Sequence, residues 1–154
     1  AANELTYLFL QILRTCHGVH PRCSLRLHKD TPDELIKLAL FRAKFCESIS
    51  KIVPGAYPHR KELYLMGLMS IVVGTANKAE VEGVLKELPV TDNIKSGLFG
   101  EEGLFGDIFS FVKDYERANW QKVDEFVEKY KADSQLIASE YVHCLKFMQQ
   151  FYIK

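Results

Sequence analysis

The length and charge balance of the chain limit both its architecture and its partners. A chain of 154 residues fits one domain that buries roughly 70% of its unfolded surface, so neither disulfides nor metals are needed for folding. Twenty basic and twenty acidic residues balance, which argues against nucleic acid and anionic lipid as partners. The longest apolar stretch, "LYLMGLMSIVVG", is too short for a membrane span, and the N-terminus lacks a signal-peptide layout. A soluble, cytoplasmic protein is therefore expected.

The first thirty residues combine a short helical pattern with a polar loop. Residues 4–15, "ELTYLFLQILRT", have helical spacing, and the non-periodic segment "CHGVHPRCSLRLHKD" follows. This loop offers zinc ligands, but it lacks the paired spacings of structural zinc sites, and a cysteine nucleophile there would lack an orienting third group. We prefer the interpretation of a polar loop, and the candidate ligands are Cys16, His17, His20 and Cys23.

A helix is predicted from about residue 32 to residue 53. Thr31 is suited to the N-cap, Pro32 to the first helical position and Glu34 to a capping box. Helical spacing then gives an apolar side (Leu35, Leu38, Phe45, Cys46, Ile49, Ile52, Val53) and a charged side (Lys37, Lys44, Glu47, Lys51). Arg42 falls within the apolar side, where its charge requires a partner.

The rest of the chain also predicts helices. Residues 63–73 are apolar on nearly all sides, which is typical of a helix at the centre of a bundle. Short helices are predicted in "KAEVEGVLKEL" and, begun by Thr91 or Asp92, in "TDNIKSGLFG". Longer ones follow at about 101–117, 119–131 and 134–152. We predict an all-α bundle forming one domain over residues 1–154, and a helical-repeat scaffold is the weaker alternative because no 34-residue period is found.

Self-sufficient catalytic motifs are absent from the sequence. No glycine-rich stretch matches a nucleotide-binding motif. Cys46 and Cys144 lie on apolar helical stripes, where a reduced thiol behaves as a small hydrophobic side chain. We therefore expect reduced cysteines and a reducing compartment. His59 is interpreted as a satisfied or solvated side chain. Glu101 and Glu102 are expected in the first turn of a helix, where negative charge complements the helix dipole, rather than in an acid–base pair.

Three blocks, "ALFRAKFCESI", "LYLMGLMSIV" and "ELPVTDNIKSGLFGEEGLFGDIFSFVKDYERANWQKV", together resemble the C-terminal region of the bacterial HDOD domain. The similar type follows an EAL domain in cyclic-di-GMP-related signalling proteins. The resemblance runs from Ala39 to Val123 and is most specific in the last block, where "LP", "IK", "G-x-E-G", "YER" and Trp120 recur. Residues 1–30 are poorly matched, so the resemblance implies a C-terminal fragment of a larger signalling protein with an EAL-like portion upstream.

The resemblance implies an HD-like helical bundle that acts as a non-catalytic signalling and interaction domain. HD hydrolases need an adjacent His and Asp to bind the metal that activates water. This chain has no His-Asp dipeptide, and the resemblance places Ser70 and Ile71 at the ligand positions. We therefore expect no catalytic residue, metal or cofactor, and an EAL-type domain or another protein as partner, with a homo-oligomer as a further option. A degenerate metal-dependent HD-type phosphohydrolase is the alternative.

The resemblance also suggests partners for Arg42. This residue matches the first arginine of the family pattern "RARFCE", and Glu102 and Glu116 match the glutamates of "G-x-E-G" and "YER". A bidentate pair with one of these carboxylates would set the packing of two helices. We prefer this structural role to a ligand-binding arginine. The structural or interface candidates are Arg42, Glu102, Glu116 and Trp120.

Overall fold

The computed structural model describes residues 33–75, 78–87 and 90–150, and all regular elements in these ranges are helical. The prediction of an all-α fold is confirmed. No helix in the described ranges has the length and apolar content that a membrane crossing requires. The predicted helix at 4–15, the loop with Cys16 and the Thr31 cap lie outside the described residues. The helices are α1 (Asp33–Ser50), α2 (Arg60–Thr75), α3 (Lys78–Glu87), α4 (Asp92–Leu98), α5 (Leu104–Glu116), α6 (Trp120–Tyr130) and α7 (Ser134–Gln149), with a 3₁₀ turn at Tyr57–His59 before α2.

Helices α1 and α2 pack against each other at the centre of the bundle. Their closest approach is at Gly67, where an added Cβ would lie 2.6 Å from the backbone nitrogen of Ala43 and from the carbonyl oxygen of Arg42. Any side chain at residue 67 would therefore push the two helices apart. The prediction that residues 63–73 lie at the centre is consistent with the burial of Leu63, Met66, Leu68, Met69, Ser70 and Ile71.

Helix α1 is more deeply buried than its predicted two-sided pattern indicated. It packs against α2, α5 and α7. Lys44, assigned to the charged side, is half-buried, with its ammonium 5.3 Å from the ring centroid of Phe147 on α7. The assignment of one exposed face to α1 was therefore wrong for the middle of the helix. The additional buried residues are Ala39, Leu40, Phe41, Ala43, Ser48 and Ser50.

Helix α5 begins three residues later than predicted. Gly103 is its N-cap with φ +140°, a conformation that side chains with a Cβ rarely adopt, and Leu104 is the first helical residue. Glu101 and Glu102 therefore lie in the loop before the helix, and the prediction that they occupy its first turn was wrong. Asp107 is the acidic residue of the first turn.

Aromatic and sulfur-containing side chains fill the space between α1, α5 and α7. Phe45 is fully buried and lies against the rings of Phe111, Tyr115 and Tyr141, with centroid distances of 5.5 to 6.1 Å. Cys46 and Cys144 are buried free thiols, as their positions on apolar stripes predicted. Burial raises the pKa of both thiols, so neither is a nucleophile at neutral pH.

Candidate functional site

Arg42 and Glu116 form a bidentate ion pair between α1 and α5. Nε of Arg42 donates to Oε1 of Glu116 at 2.9 Å, and Nη2 donates to Oε2 at 3.0 Å. The two side chains are 15% and 18% exposed, so the pair is screened only in part by solvent. The planar guanidinium matches the carboxylate in the two-point geometry that fixes the relative position of two helices.

Ser70 adds α2 to this contact. Nη1 of Arg42 donates to Oγ of Ser70 at 3.3 Å, and the Ser70 hydroxyl donates to the carbonyl oxygen of Gly67 at 2.6 Å. Each guanidinium nitrogen of Arg42 therefore has a hydrogen-bond acceptor. The resulting Arg42–Glu116–Ser70 network joins α1, α2 and α5 beside the close approach at Gly67, and it accounts for an arginine among apolar residues.

The structure does not bring Glu102 to Arg42. Glu102 is exposed in the loop before α5, while Glu116 is the last residue of that helix. Thirteen helical residues span about 20 Å, so the two carboxylates lie at opposite ends of α5. Of the two carboxylates expected as partners of Arg42, Glu116 is therefore the one that pairs with it and Glu102 is not, because only the C-terminal end of α5 lies beside Arg42.

Trp120 lies close to the network but is not part of it. It is the first residue of α6, and its ring meets the Tyr115 ring edge to face with centroids 5.3 Å apart. The side chain is 54% exposed, although helical spacing in the sequence places Trp120 on one apolar stripe with Val123, Val127 and Tyr130. Trp120 is therefore in contact with Tyr115 while about half of its side chain remains exposed.

The surroundings of Ser70 determine which chemistry this region can support. Ser70 and Ile71 are both buried. The nearby carboxylate of Glu116 is bound by Arg42 through both oxygens. Among the described residues, no group of three or more His, Cys, Asp or Glu side chains could hold a metal ion. The arrangement is suited to holding three helices in register.

A second polar cluster, centred on Glu62, escaped prediction. The Thr91 hydroxyl donates to Oε2 of Glu62 at 2.6 Å, and Nδ1 of His59 lies 3.2 Å from Oε1. The hydrogen bond from Thr91 lowers the pKa of Glu62, and His59 contributes to the same direction. The three-residue spacing of His59 and Glu62 could have indicated half of the cluster. Thr91 could not be found in this way, because it lies 29 residues along the chain.

A third polar contact links α5 to α6. The Tyr130 hydroxyl and the Lys129 ammonium both donate to Oδ2 of Asp107. Burial and the Asp107 carboxylate raise the pKa of Tyr130, so the phenol stays protonated and acts as a donor. No spacing rule connects residues on two different helices, so the sequence contained no local signal for this contact.

Comparison with known proteins finds similarity to segments of two longer bacterial proteins. The chain is 26% identical over 118 residues to the cyclic di-GMP phosphodiesterase CdgJ of Vibrio cholerae, covering 77% of this chain and 27% of CdgJ. It is 30% identical over 116 residues to the uncharacterized protein YuxH of Bacillus subtilis, covering 73% of this chain and 28% of YuxH. No family model and no solved structure matches the chain. The chain thus spans little more than a quarter of the length of either relative.

Proposed function

We propose that this chain is a non-catalytic signalling and interaction domain of the HDOD type, with an HD-like arrangement of its helices. It acts in cyclic-di-GMP-related signalling in the bacterial cytoplasm, where it regulates or relays the state of an EAL-type domain or of a partner protein. The proposal assigns no metal, cofactor or catalytic residue to the described residues.

The Arg42–Glu116–Ser70 network carries this proposal. The resemblance to HD-type proteins places Ser70 where active hydrolases have a metal-binding residue. Here the serine hydroxyl is bound to the Gly67 carbonyl and to Arg42, and the neighbouring Glu116 carboxylate is bound to the same guanidinium. A divalent cation would have to displace a bidentate arginine to reach that carboxylate, which would leave a partly buried charge without its partner.

Similarity to CdgJ supports the signalling context. The name of that protein includes phosphodiesterase activity on cyclic di-GMP, but the similar segment covers only 27% of its length. A regulatory domain attached to a catalytic one would give the same pattern of similarity. We therefore place this chain in the same kind of pathway without assigning the hydrolysis step to it.

The test measures two rates: hydrolysis of cyclic di-GMP by the chain itself, and hydrolysis by an EAL-type region in the presence of the chain. The chain is incubated with cyclic di-GMP in the presence of Mg²⁺ or Mn²⁺, and the products are separated by liquid chromatography. We expect no hydrolysis above a buffer control. The same chain is then added to the EAL-type region of its parent protein, and the rate of cyclic di-GMP hydrolysis by that region is expected to change.

Two controls keep the result interpretable. The Glu116→Gln variant removes the carboxylate that a cation would have to reach, so hydrolysis by the wild-type chain that this variant abolishes would support the degenerate phosphohydrolase instead. Elemental analysis of protein prepared in metal-supplemented medium provides an independent measurement. One tightly bound metal ion per chain, together with turnover, would overturn the proposal.

A further inference from the structure

The two ends of α5 carry exposed side chains of opposite charge. Glu101 and Glu102 are exposed in the loop before the helix, and Arg117 is exposed at its C-cap. Within the described ranges, none of these three residues takes part in an ion pair. Both ends therefore have charge that is available to another molecule.

The backbone of the acidic loop is held firmly in place. The amide of Glu101 donates to the carbonyl oxygen of Ser96 at 3.0 Å. Its carbonyl oxygen lies against Gly106, where an added Cβ would clash with it. The loop backbone at Glu101 thus has a defined position, which limits the backbone entropy lost on docking.

The charge of Arg117 at the C-terminal end of α5 is not neutralised by the two nearby carboxylates, Asp114 and Glu116. Both oxygens of Glu116 are bound by Arg42. The Asp114 carboxylate accepts a hydrogen bond from the side-chain amide of Asn119 at 3.4 Å. Because each carboxylate has a partner within the chain, neither is positioned primarily to neutralise Arg117.

Lys113 is a second basic residue at the C-terminal end of α5. Burial lowers the pKa of its ammonium, which lies 4.3 Å from the ring centroid of Phe109, and repulsion from Arg117 and Arg42 lowers it further. With the Glu116 carboxylate bound by Arg42 and the Asp114 carboxylate bound by Asn119, Lys113 and Arg117 make the C-terminal end of α5 a positive patch.

An apolar anchor follows directly after this patch. Trp120 lies three residues beyond Arg117, and its ring is held against Tyr115 while 54% of the side chain remains exposed. Tryptophan and arginine are both enriched among the residues that dominate binding at protein interfaces. The macrodipole of α5 favours acids at its start and bases at its end, but it does not account for an exposed tryptophan beside the bases.

The complementary ends can meet only between molecules. The 13 residues of α5 hold them about 20 Å apart in one chain. The formal net charge of zero removes general repulsion between copies. We propose that a second copy of this chain docks head to tail, with the Glu101–Glu102 loop of one copy against the Arg117–Trp120 corner of the next.

This contact has two distinctive properties. It joins different surfaces of the two copies, so it can repeat and lead to a ring or an open chain rather than a closed two-fold dimer. It also depends on exposed ion pairs, so the association is weak and falls as salt is added.

Sedimentation velocity on the full chain tests the docking. The weight-average mass is expected to rise with protein concentration at about 10 mM NaCl, where screening extends over about 30 Å, and to return to the monomer value at about 1 M, where it extends over about 3 Å. The sequence contains one tryptophan, so a shift of its emission to shorter wavelength reports burial of Trp120 in the same samples. A mass that stays monomeric at low salt up to about 1 mM protein overturns the proposal.

Charge reversals at the two ends make the test specific. Arg117→Glu and the double variant Glu101→Arg/Glu102→Arg should each weaken self-association at least tenfold, because each variant has like charges at both ends. An equimolar mixture of the two variants should associate again, since the ends of one are then complementary to those of the other. Lys61→Glu makes a similar charge change at an exposed position on α2 and should leave association unchanged.

The outcomes separate this inference from the proposed function. Association that persists in both charge-reversal variants, or a mixture that stays monomeric, would contradict head-to-tail docking while leaving the signalling role untouched. Hydrolysis of cyclic di-GMP by the chain would overturn the proposed function while leaving the docking result valid.

Discussion

Helices α1 and α6 differ in how much of their surface the bundle covers. Every residue of α1 from Lys37 to Ser50 is buried or half-buried, whereas in α6 only Val123 and Phe126 are buried. Helix α1 packs against three helices, while α6 packs mainly against α5. A pattern of one apolar and one polar side therefore fits α6 better than α1, because such a pattern assumes that one side of a helix faces solvent.

The largest expected difference between the two helices is in the stability lost when an aromatic side chain is replaced by alanine. Phe45→Ala on α1 should reduce the free energy of unfolding by about 4 kcal/mol, because a fully buried ring leaves a cavity among other rings. Trp120→Ala on α6 removes a larger side chain, but it should cost only about 1 kcal/mol, since the loss is chiefly one edge-to-face contact. Urea denaturation of both variants measures the difference, and equal losses would contradict the burial assigned to the two helices.

Adding a methyl group should distinguish the centre of the bundle from its periphery. Gly67→Ala places a Cβ 2.6 Å from the backbone of α1 and should destabilise the protein by about 3 kcal/mol. Gly83→Ala on α3 is the matched control, because nothing lies within 4 Å of the added atom. It should stabilise the protein by about 0.5 to 1 kcal/mol through the higher helix propensity of alanine. Thermal unfolding of the two variants should shift in opposite directions.

Removing the charge of Arg42 tests the link between α1 and α5. Arg42→Ala should cost about 2 kcal/mol, less than for a fully buried pair because both partners are partly exposed. Arg42→Lys should also destabilise, since an ammonium cannot reproduce two parallel hydrogen bonds. Lys51→Ala, at an exposed position just after α1, should change stability by less than about 0.5 kcal/mol. Similar small losses in all three variants would show that the guanidinium is solvated.

The smallest expected effect is pH-dependent and concerns the Glu62 cluster. The pKa of Glu62 is lowered from its ordinary value of 4.5, so its charged form contributes stability above that pH, and the contribution is lost as the pH falls through the lower folded value. Glu62→Gln should therefore cost about 1 kcal/mol at neutral pH and progressively less in acid. Denaturation of both proteins between pH 7 and pH 3 measures this trend, and a difference that grows in acid would contradict it.

A conservative substitution controls for the geometry of the Glu62 cluster. Thr91→Ser keeps the hydroxyl that donates to Glu62 and caps α4, so the pH dependence should persist. Loss of the pH dependence in this variant would show that the methyl group of Thr91, rather than its hydroxyl, supports the cluster.

Much of the fold follows from local patterns. The described helices that were predicted lie close to their expected positions, and Thr91 caps α4 by accepting a hydrogen bond from the amide of Ile94. The predicted ends of helices were less accurate where the backbone conformation of a single residue determines the end. Helix α5 starts at Leu104 because Gly103 adopts φ +140°, and nothing in the periodicity of the preceding glutamates indicates this.

The candidate site was predictable only in part. An arginine among apolar residues must meet a carboxylate or several carbonyl oxygens, so the sequence required a partner for Arg42, and family resemblance suggested two glutamates. The choice between them depended on which end of α5 contacts α1. The contact of Ser70 with the same guanidinium was not anticipated, since residues 42 and 70 lie on different helices.

The sequence by itself determined an all-helical chain with an apolar central helix, reduced cysteines in apolar stripes and a charged residue that needs a buried partner. These properties arise from spacing along one helix and from the cost of burying a charge, both of which are local. Only the tertiary structure decided that Arg42 pairs with Glu116 instead of Glu102, that Gly67 allows α1 and α2 to approach, and that Trp120 faces outward. These features depend on distances between residues far apart in the chain, which the packing of several helices sets together.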